Sequence, residues 1–308
     1  MHSHSHAHHH GHHHTHSSRL GRAFAIGIAL NIGFVALEVV CGLLANSLAL
    51  LADAAHNMSD VVGLVLAWGA TALAQRPPSA RFTYGFRGST ILAALANAML
   101  LLVVTGGIAW EALLRLQHPD PINETLMFWI ALLGVVINGG TAWLFMADRK
   151  SDLNVRGAYL HMAADAAISL GVALAAIGIW YTGFAWLDPA VTLLIVVAIF
   201  AGTWGLLRDS VKLALHAAPE NVNPAEVRRY LAALGGVAEV HDLHIWGMST
   251  TETALTVHLV MPGGHPGDAF FQDVVRHIEH NFHIGHTTIQ IETGGTAHPC
   301  VLAPDHVV

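Results

Sequence analysis

The chain has 308 residues, 54% of them hydrophobic and only 11% charged, whereas an ordinary soluble domain carries about 25% charged residues. With a mean hydropathy of +0.51, so few charges cannot keep a globular surface wet, which argues against a soluble enzyme. A formal charge of -7 argues against nucleic acid as a partner, and two cysteines, Cys41 and Cys300, exclude a disulfide framework or a four-thiolate zinc site within one chain.

Residues 1–18 carry ten of the chain's 24 histidines and show no apolar period, which predicts a disordered His-rich tail. Interruption of the run by Ser, Ala, Gly and Thr speaks against an affinity tag. The lack of an early apolar core and of an A-x-A site speaks against a signal peptide. So dense a use of imidazole in an apolar chain points to metal handling.

Six apolar stretches follow, placed near 23–45, 47–74, 89–114, 125–147, 157–182 and 188–207, each close to the roughly 20 residues that span a bilayer. The fourth has no charge until its end; the second and fifth are interrupted by His and Asp. One set of loops receives Arg19, Arg22, Arg76, Arg81, Arg87, Arg149, Lys150, Arg156, Arg208 and Lys212, and the other receives only Arg115. This bias predicts an integral membrane protein with both termini in the cytoplasm.

From residue 213 onward the composition becomes that of a small soluble domain. Pro224–Leu234 reads as a helix with Asn223 as N-cap and Gly235-Gly236 as its stop. Val237–Trp246, Thr253–Met261 and Thr287–Glu292 read as strands, and Asp268–His280 as an amphipathic helix. The order α-β-β-α-β predicts a ferredoxin-like α+β domain. A domain this small has a marginal core, which a dimer partner or a metal would support.

The second and fifth stretches each contain His-x-x-x-Asp: His56 and Asp60, His161 and Asp165. Four residues of α-helix turn about 400°, so each pair shares one helix face. Two such helices face to face supply two imidazoles and two carboxylates, a tetrahedral donor set that zinc accepts. An internal His–Asp ion pair is the structural alternative. However, an Asp at bilayer depth costs roughly 2.5–3.5 kcal/mol, and two helices repeat the same pattern. Without a thiolate, copper(I) is disfavoured, and two imidazoles argue against calcium, magnesium or manganese. Cobalt and nickel stay open on ligand type; cadmium is larger and softer than this donor set suits. Protons compete for the same four side chains, so a proton gradient can drive release on the acidic side. Asp53 falls on the same face as His56, either behind the ligands or on a water path. Glu38, Asn97 and Asn138 are expected to hydrogen-bond between helices. Asp188 and Glu111 fall near span ends. Arg81, Arg87, Arg208 and Asp209 fall where the membrane and cytoplasmic parts meet.

At these residues the chain resembles the cation diffusion facilitator family of proton-coupled zinc exporters, of the bacterial type. The resemblance runs through NSLALLADAAHNMSD at 46–60, RFTYGFRGSTILAALANA at 81–98, HMAADAAISLG at 161–171, DPAVTLLI at 188–195, VHDLHIW at 240–246 and TIQIE at 288–292. It implies that His56, Asp60, His161 and Asp165 form the transport site, with zinc preferred over cadmium. It also implies export of Zn2+ from the cytoplasm against protons by alternating access, a homodimer, and a bacterial inner-membrane location. The organisation it implies is a tail (1–18), a six-helix transmembrane domain (19–210), a cytoplasmic metal-binding and dimerisation domain (211–295) and a C-terminal tail (296–308). In the cytoplasmic domain the resemblance points to His241, His258 and Glu292 as a second, regulatory zinc site. Gln290 stands where some relatives have His, and His244, His265, His286 and the tail pair His298 and Cys300 are further candidate ligands. His277, His280 and His283 read as solvated. Many relatives keep their His-rich segment between the fourth and fifth spans. Here it lies at the N-terminus, where zinc collection and a dispensable tail both stand open. Two rivals are an intramembrane metalloenzyme and a non-transporting sensor. The first lacks H-E-x-x-H and an open metal position; the second leaves the costly intramembrane site without a use.

Overall fold

The computed structural model describes residues 32–146, 153–295 and 300–304. The His-rich tail, the start of the first expected span, Arg19, Arg22, Arg149, Lys150 and His298 lie outside the described residues. Six apolar helices come first: α1 (Ile32–Ala45), α2 (Leu48–Ala74), α3 (Ser89–Gln117), α4 (Glu124–Phe145), α5 (Leu153–Thr182) and α6 (Leu187–Ala214). The last five are long and apolar enough to cross a membrane, and α1 is a shorter apolar helix. Then come α7 (Pro224–Ala232), β1 (Glu239–Gly247), β2 (Thr253–Val260), α8 (Asp268–Phe282) and β3 (His286–Glu292).

The helices are polar inside and apolar outside. Glu38, Asp53, Asn57, Asn138, Asp165, Ser169 and Thr192 are buried, while Leu64, Trp68, Val103 and Leu194 are exposed. Water would reverse that pattern; a hydrocarbon solvent permits it, because lipid tails accept leucine and reject carboxylates.

The chain forms two compact units, Met1–Val61 with Val103–Phe200, and Val62–Leu102 with Ala201–Val308. In the first, α4 starts on Asn123, whose Oδ1 accepts from Leu126 N at 3.0 Å, and packs against α5. Gly134 makes the close approach possible: a Cβ there would sit 2.8 Å from both Phe34 Cζ and Ser169 Oγ. The α1–α2 corner turns on Asn46, at φ 54°. Arg115 at the end of α3 donates to the Asn46 carbonyl at 2.9 Å and pairs with Glu111 at 3.0 Å. Ser47 caps α2, its Oγ accepting from Leu50 N. Asp188, fully buried at the start of α6, accepts from Ser47 Oγ at 2.5 Å, Leu48 N at 2.9 Å and Ala49 N at 3.2 Å. A carboxylate is favoured there because it meets both the free N–H groups and the positive end of the helix.

In the second unit β2 is the central strand. It pairs antiparallel with β1 and parallel with β3. Asn223 caps α7 with Pro224 in its first turn, and Val227 and Leu231 are buried. Val274 and Ile278 of α8 join them in one core with Val240, Ile245, Leu255, Val257, Leu259 and Ile284. The ion pair of Arg87 with Glu252 and the bond from Thr250 N to Thr90 Oγ1 at 3.1 Å tie the start of α3 to the β1–β2 turn. Helix α6 runs to Ala214, beyond the expected end near 207. Charge ends an apolar stretch but not a helix: Arg208 and Lys212 pair with Glu220 at 3.2 and 2.9 Å, and hydrogen bonding from Lys212 holds the Glu220 carboxyl below its usual range.

Candidate functional site

His56 and Asp60 lie one turn apart on α2, and His161 and Asp165 one turn apart on α5; all four belong to the first unit. His56 Nε2 is 3.9 Å from Asp60 Oδ2 and 3.6 Å from Asp165 Oδ1. His161 Nε2 is 3.1 Å from Asp60 Oδ2 and 3.6 Å from Asp165 Oδ2. The two rings stand edge to face with centroids 6.0 Å apart. Asp165 is buried, its side chain 1% exposed, whereas His161 is 42% exposed, so the cluster is closed on one side and reachable on the other.

Zinc–nitrogen and zinc–oxygen bonds of about 2.0–2.1 Å at tetrahedral angles separate ligand atoms by about 3.3 Å. His56, Asp60 and His161 each place one ligand atom within 4.8 Å of the others, and Asp165 approaches the two imidazoles through different oxygens, each at 3.6 Å. Both carboxylate oxygens of Asp165, Asp60 Oδ2 and His56 Nδ1 are buried without a hydrogen-bond partner. Acceptors left bare in an apolar interior are costly unless something cationic satisfies them.

The polar residues around this cluster sort differently from expectation. Asp53 accepts from Ser169 Oγ at 2.9 Å and from Asn57 Nδ2 at 3.4 Å, so it links α2 to α5 behind the ligands. Glu38 of α1 is fully buried. Asp188 was expected only near a span end, and its capping of α2 left no signal in the sequence.

A second cluster lies on the sheet of the second unit. His241 faces His258 across the β1–β2 ladder, with ring centroids 5.3 Å apart. Glu292 at the end of β3 reaches both, Oε2 at 3.3 Å from His241 Nε2 and Oε1 at 3.0 Å from His258 Nδ1. Cys300 Sγ approaches His258 Nδ1 at 3.6 Å. One ligand atom from each of these four residues lies within 4.8 Å of the others. Burial pushes the Glu292 carboxyl up, but hydrogen bonds from Cys300 and Gln290 and the two imidazoles outweigh it and leave the carboxyl below its usual range. The hydrogen bond to Glu292 in turn holds the Cys300 thiol up. Two imidazoles, a carboxylate and a thiol fit a closed zinc site by donor chemistry, and both ring nitrogens of His241 are buried without a hydrogen-bond partner.

The candidates His265 and His286 stand apart from this cluster: His265 Nδ1 accepts from Gly267 N and His286 meets the Tyr84 ring. His277, read as solvated, stacks on Tyr230 with centroids 4.1 Å apart. Gln290 donates to Glu292 Oε1 at 3.1 Å. Asp242 went unread in the sequence. Strict alternation places it on the face opposite His241, but the β1–β2 register shifts between His241 and His244. Asp242, at φ 48° in that bulge, turns its carboxylate to His258 Nε2 at 3.3 Å and His244 Nε2 at 2.8 Å. A bulge lets two successive residues serve one face, and Asp tolerates the left-handed backbone.

Comparison with known proteins agrees with a transporter. The cation efflux transmembrane domain matches residues 24–213, and the cation efflux protein cytoplasmic domain matches residues 219–294. The metal cation efflux system protein CzcD of Cupriavidus metallidurans is 40% identical over 272 residues, 88% of this chain and 86% of that protein. The zinc transporter ZitB of Escherichia coli is 36% identical over 293 residues, 94% of this chain and 92% of that one. The cadmium, cobalt and zinc/H(+)-K(+) antiporter of Bacillus subtilis is 33% identical over 282 residues, 90% of each chain. The solved metal-bound C-terminal domain of the CzcD transporter from C. metallidurans is 35% identical, covers 23% of this chain and 99% of its own, and has a TM-score of 0.22. The chain belongs to the cation efflux, or cation diffusion facilitator, family: it is an integral membrane transporter of divalent metal cations and not an enzyme.

Proposed function

We propose that the protein exports Zn2+ from the cytoplasm in exchange for protons, carrying the ion on His56, Asp60, His161 and Asp165 by alternating access. The reading rests above all on the imidazoles of His56 and His161 lying 3.1 to 3.9 Å from carboxylate oxygens of Asp60 and Asp165 between α2 and α5. Two imidazoles and two carboxylates offset the charge of a divalent ion in an apolar medium, and protons displace it from the same atoms. The functional unit is a homodimer in a bacterial inner membrane, with six spans, both termini cytoplasmic and a ferredoxin-like cytoplasmic domain. The proposed segments are 1–18, 19–210, 211–295 and 296–308. His241, His258 and Glu292, joined by Cys300, hold a regulatory zinc. A zinc held by these residues would cross-link Cys300 to all three strands.

The test uses the full chain in proteoliposomes with a zinc dye and a pH dye inside. Zinc entry and proton exit rise together in the wild type. His161→Ala and Asp60→Ala reduce both to the level of empty vesicles; intact zinc uptake in either variant overturns the assignment. A second reading, export of cadmium or cobalt, is favoured by the names of the relatives from B. subtilis and C. metallidurans. The same vesicles decide it: the zinc reading requires zinc flux above that of cobalt, nickel and cadmium at equal concentration.

A further inference from the structure

Asp242 of β1 is a carboxylate that the zinc reading of the cytoplasmic cluster leaves without a task. The β1–β2 ladder pairs His241 with His258 and then shifts before pairing His244 with Thr256, so Asp242 stands in the bulge, at φ 48°. Its carboxylate lies between two imidazoles: Oδ1 is 2.8 Å from His244 Nε2 and Oδ2 is 3.3 Å from His258 Nε2. The side chains of Asp242 and His258 are nearly buried, at 10% and 11% exposed, whereas that of His244 is 41% exposed. His244 thus holds one oxygen of Asp242 from the open side, and the other is left to His258.

A neutral imidazole that binds metal through one ring nitrogen carries its proton on the other, and the partner of that proton decides which nitrogen ligates. His258 turns its two nitrogens to different neighbours. Nδ1 faces the cluster, 3.0 Å from Glu292 Oε1 and 3.6 Å from Cys300 Sγ. Nε2 faces away from it, toward Asp242. Ligation through Nδ1 leaves the ring proton on Nε2, where a carboxylate accepts it. Such an acceptor behind a ligating histidine fixes the ring and raises its basicity. Behind His241 the acidic neighbour is farther, Glu239 Oε1 at 3.9 Å from Nδ1. The bulge is what makes the arrangement possible, because strict alternation would turn residue 242 to the opposite face of the sheet.

We propose that Asp242 is a positioning residue for the cytoplasmic zinc: it accepts the Nε2 proton of His258 and so presents Nδ1 to the ion. The proposal deepens the reading of His241, His258, Glu292 and Cys300 as a zinc site and rests on it. It names what selects the ligating nitrogen and gives the bulge a use. The role of the carboxylate is separable from the shape of the backbone, because Gly and Asn both tolerate the left-handed conformation at 242. Asp242→Asn keeps an oxygen that can accept from Nε2. Asp242→Gly keeps the bulge and removes the acceptor.

The experiment measures how much free zinc, set by a chelator, protects Cys300 of the purified full-length protein from alkylation by half. Because Cys300 belongs to the cytoplasmic cluster, zinc on the transport site or the His tract does not enter the readout. Loss of a carboxylate behind a ligating histidine weakens metal binding about 10–100-fold, so Asp242→Gly is expected to need that much more zinc, and Asp242→Asn to stay closer to the wild type than to Gly. A wild-type zinc requirement in Asp242→Gly, or an Asn variant as weak as Gly, overturns the proposal. A spectroscopic signature tests the nitrogen itself, since the ring-stretching Raman band of a metal-bound imidazole differs between Nδ1 and Nε2 ligation. His56, His161 and His241 face their carboxylate partners through Nε2, which leaves the Nδ1 band to His258 among the described ligands. The zinc-bound wild type must show that band, His258→Gln must remove it, and Asp242→Gly must weaken it at saturating zinc. A wild type without it overturns the proposal whether or not the variants fold. Failure of the zinc reading has a different pattern: Cys300 of the wild type is then unprotected at every zinc concentration, and the proposal falls with it.

Discussion

A single side chain makes the cytoplasmic cluster testable. Cys300 is one of two thiols, and the other, Cys41, is buried in apolar α1. Zinc on His241, His258, Glu292 and Cys300 must withdraw the Cys300 sulfur from electrophiles. With zinc about 100-fold above its dissociation constant only about 1% of the sites are free, so alkylation of Cys300 slows about a hundredfold. A chelator restores the rate, and His258→Ala removes the protection. Counting labelled thiols by mass reads this directly; unchanged labelling with zinc bound shows that the thiol is not a ligand. At this scale the sequence is legible where helix geometry is regular. Four residues along α2 or α5 is one turn, so His56 meets Asp60 and His161 meets Asp165 without any tertiary knowledge. It fails where the backbone departs from its period: the bulge at Asp242 moves a carboxylate to a face that alternation denies it.

The helices carry their own predictions. Asp188 accepts three hydrogen bonds at the start of α2. Asp188→Ala leaves those donors bare, at about 1–3 kcal/mol for a buried unsatisfied group, and frees the helix end that aims His56 and Asp60. A lower thermal midpoint in detergent and a larger loss of zinc flux are expected for Ala than for Asn, which keeps one acceptor oxygen. Gly134→Val is the matching test on α4. Its side chain collides with Phe34 and Ser169, both buried, and overpacking of this kind costs about 1–3 kcal/mol. Because Ser169 holds Asp53, this variant is expected to lower zinc flux as well as stability, whereas Gly139→Val, with open space around its Cβ position, leaves both near wild type. Equal loss in the two glycine variants, by flux and by thermal melt, contradicts the packing argument. Element identity is legible from apolar runs and strand alternation. Element ends are less so, because α6 continues through Arg208 and Lys212 on hydrogen bonds and ion pairs that hydropathy does not register. The Asp188 cap joins residues 140 apart in the chain, which no local pattern announces.

Orientation belongs to the whole molecule, and loop charge is the sequence feature the proposed topology rests on. With the six proposed spans, ten lysines and arginines of the sequence fall to one side and Arg115 alone to the other; Arg115 is moreover tied to Glu111, Asp120 and the Asn46 carbonyl. Basic loops resist translocation, so the proposed topology turns the side with ten toward the cytoplasm. The proposed topology puts Arg87, Arg208 and Lys212 on that side, and with them the cluster that contains Cys300. A membrane-impermeant maleimide with chelator present tests this without engineering. Cys300 labels in inverted membrane vesicles and stays unlabelled in intact spheroplasts, while Cys41 labels in neither. The reverse pattern would put the sheet outside the cell and the export direction with it. Moving charge provides the complement: adding three arginines beside Arg115 narrows the bias from ten against one to ten against four. If loop charge sets topology, a fraction of Cys300 then becomes labelled in spheroplasts. If the soluble domain itself anchors the orientation, the labelling stays confined to inverted vesicles.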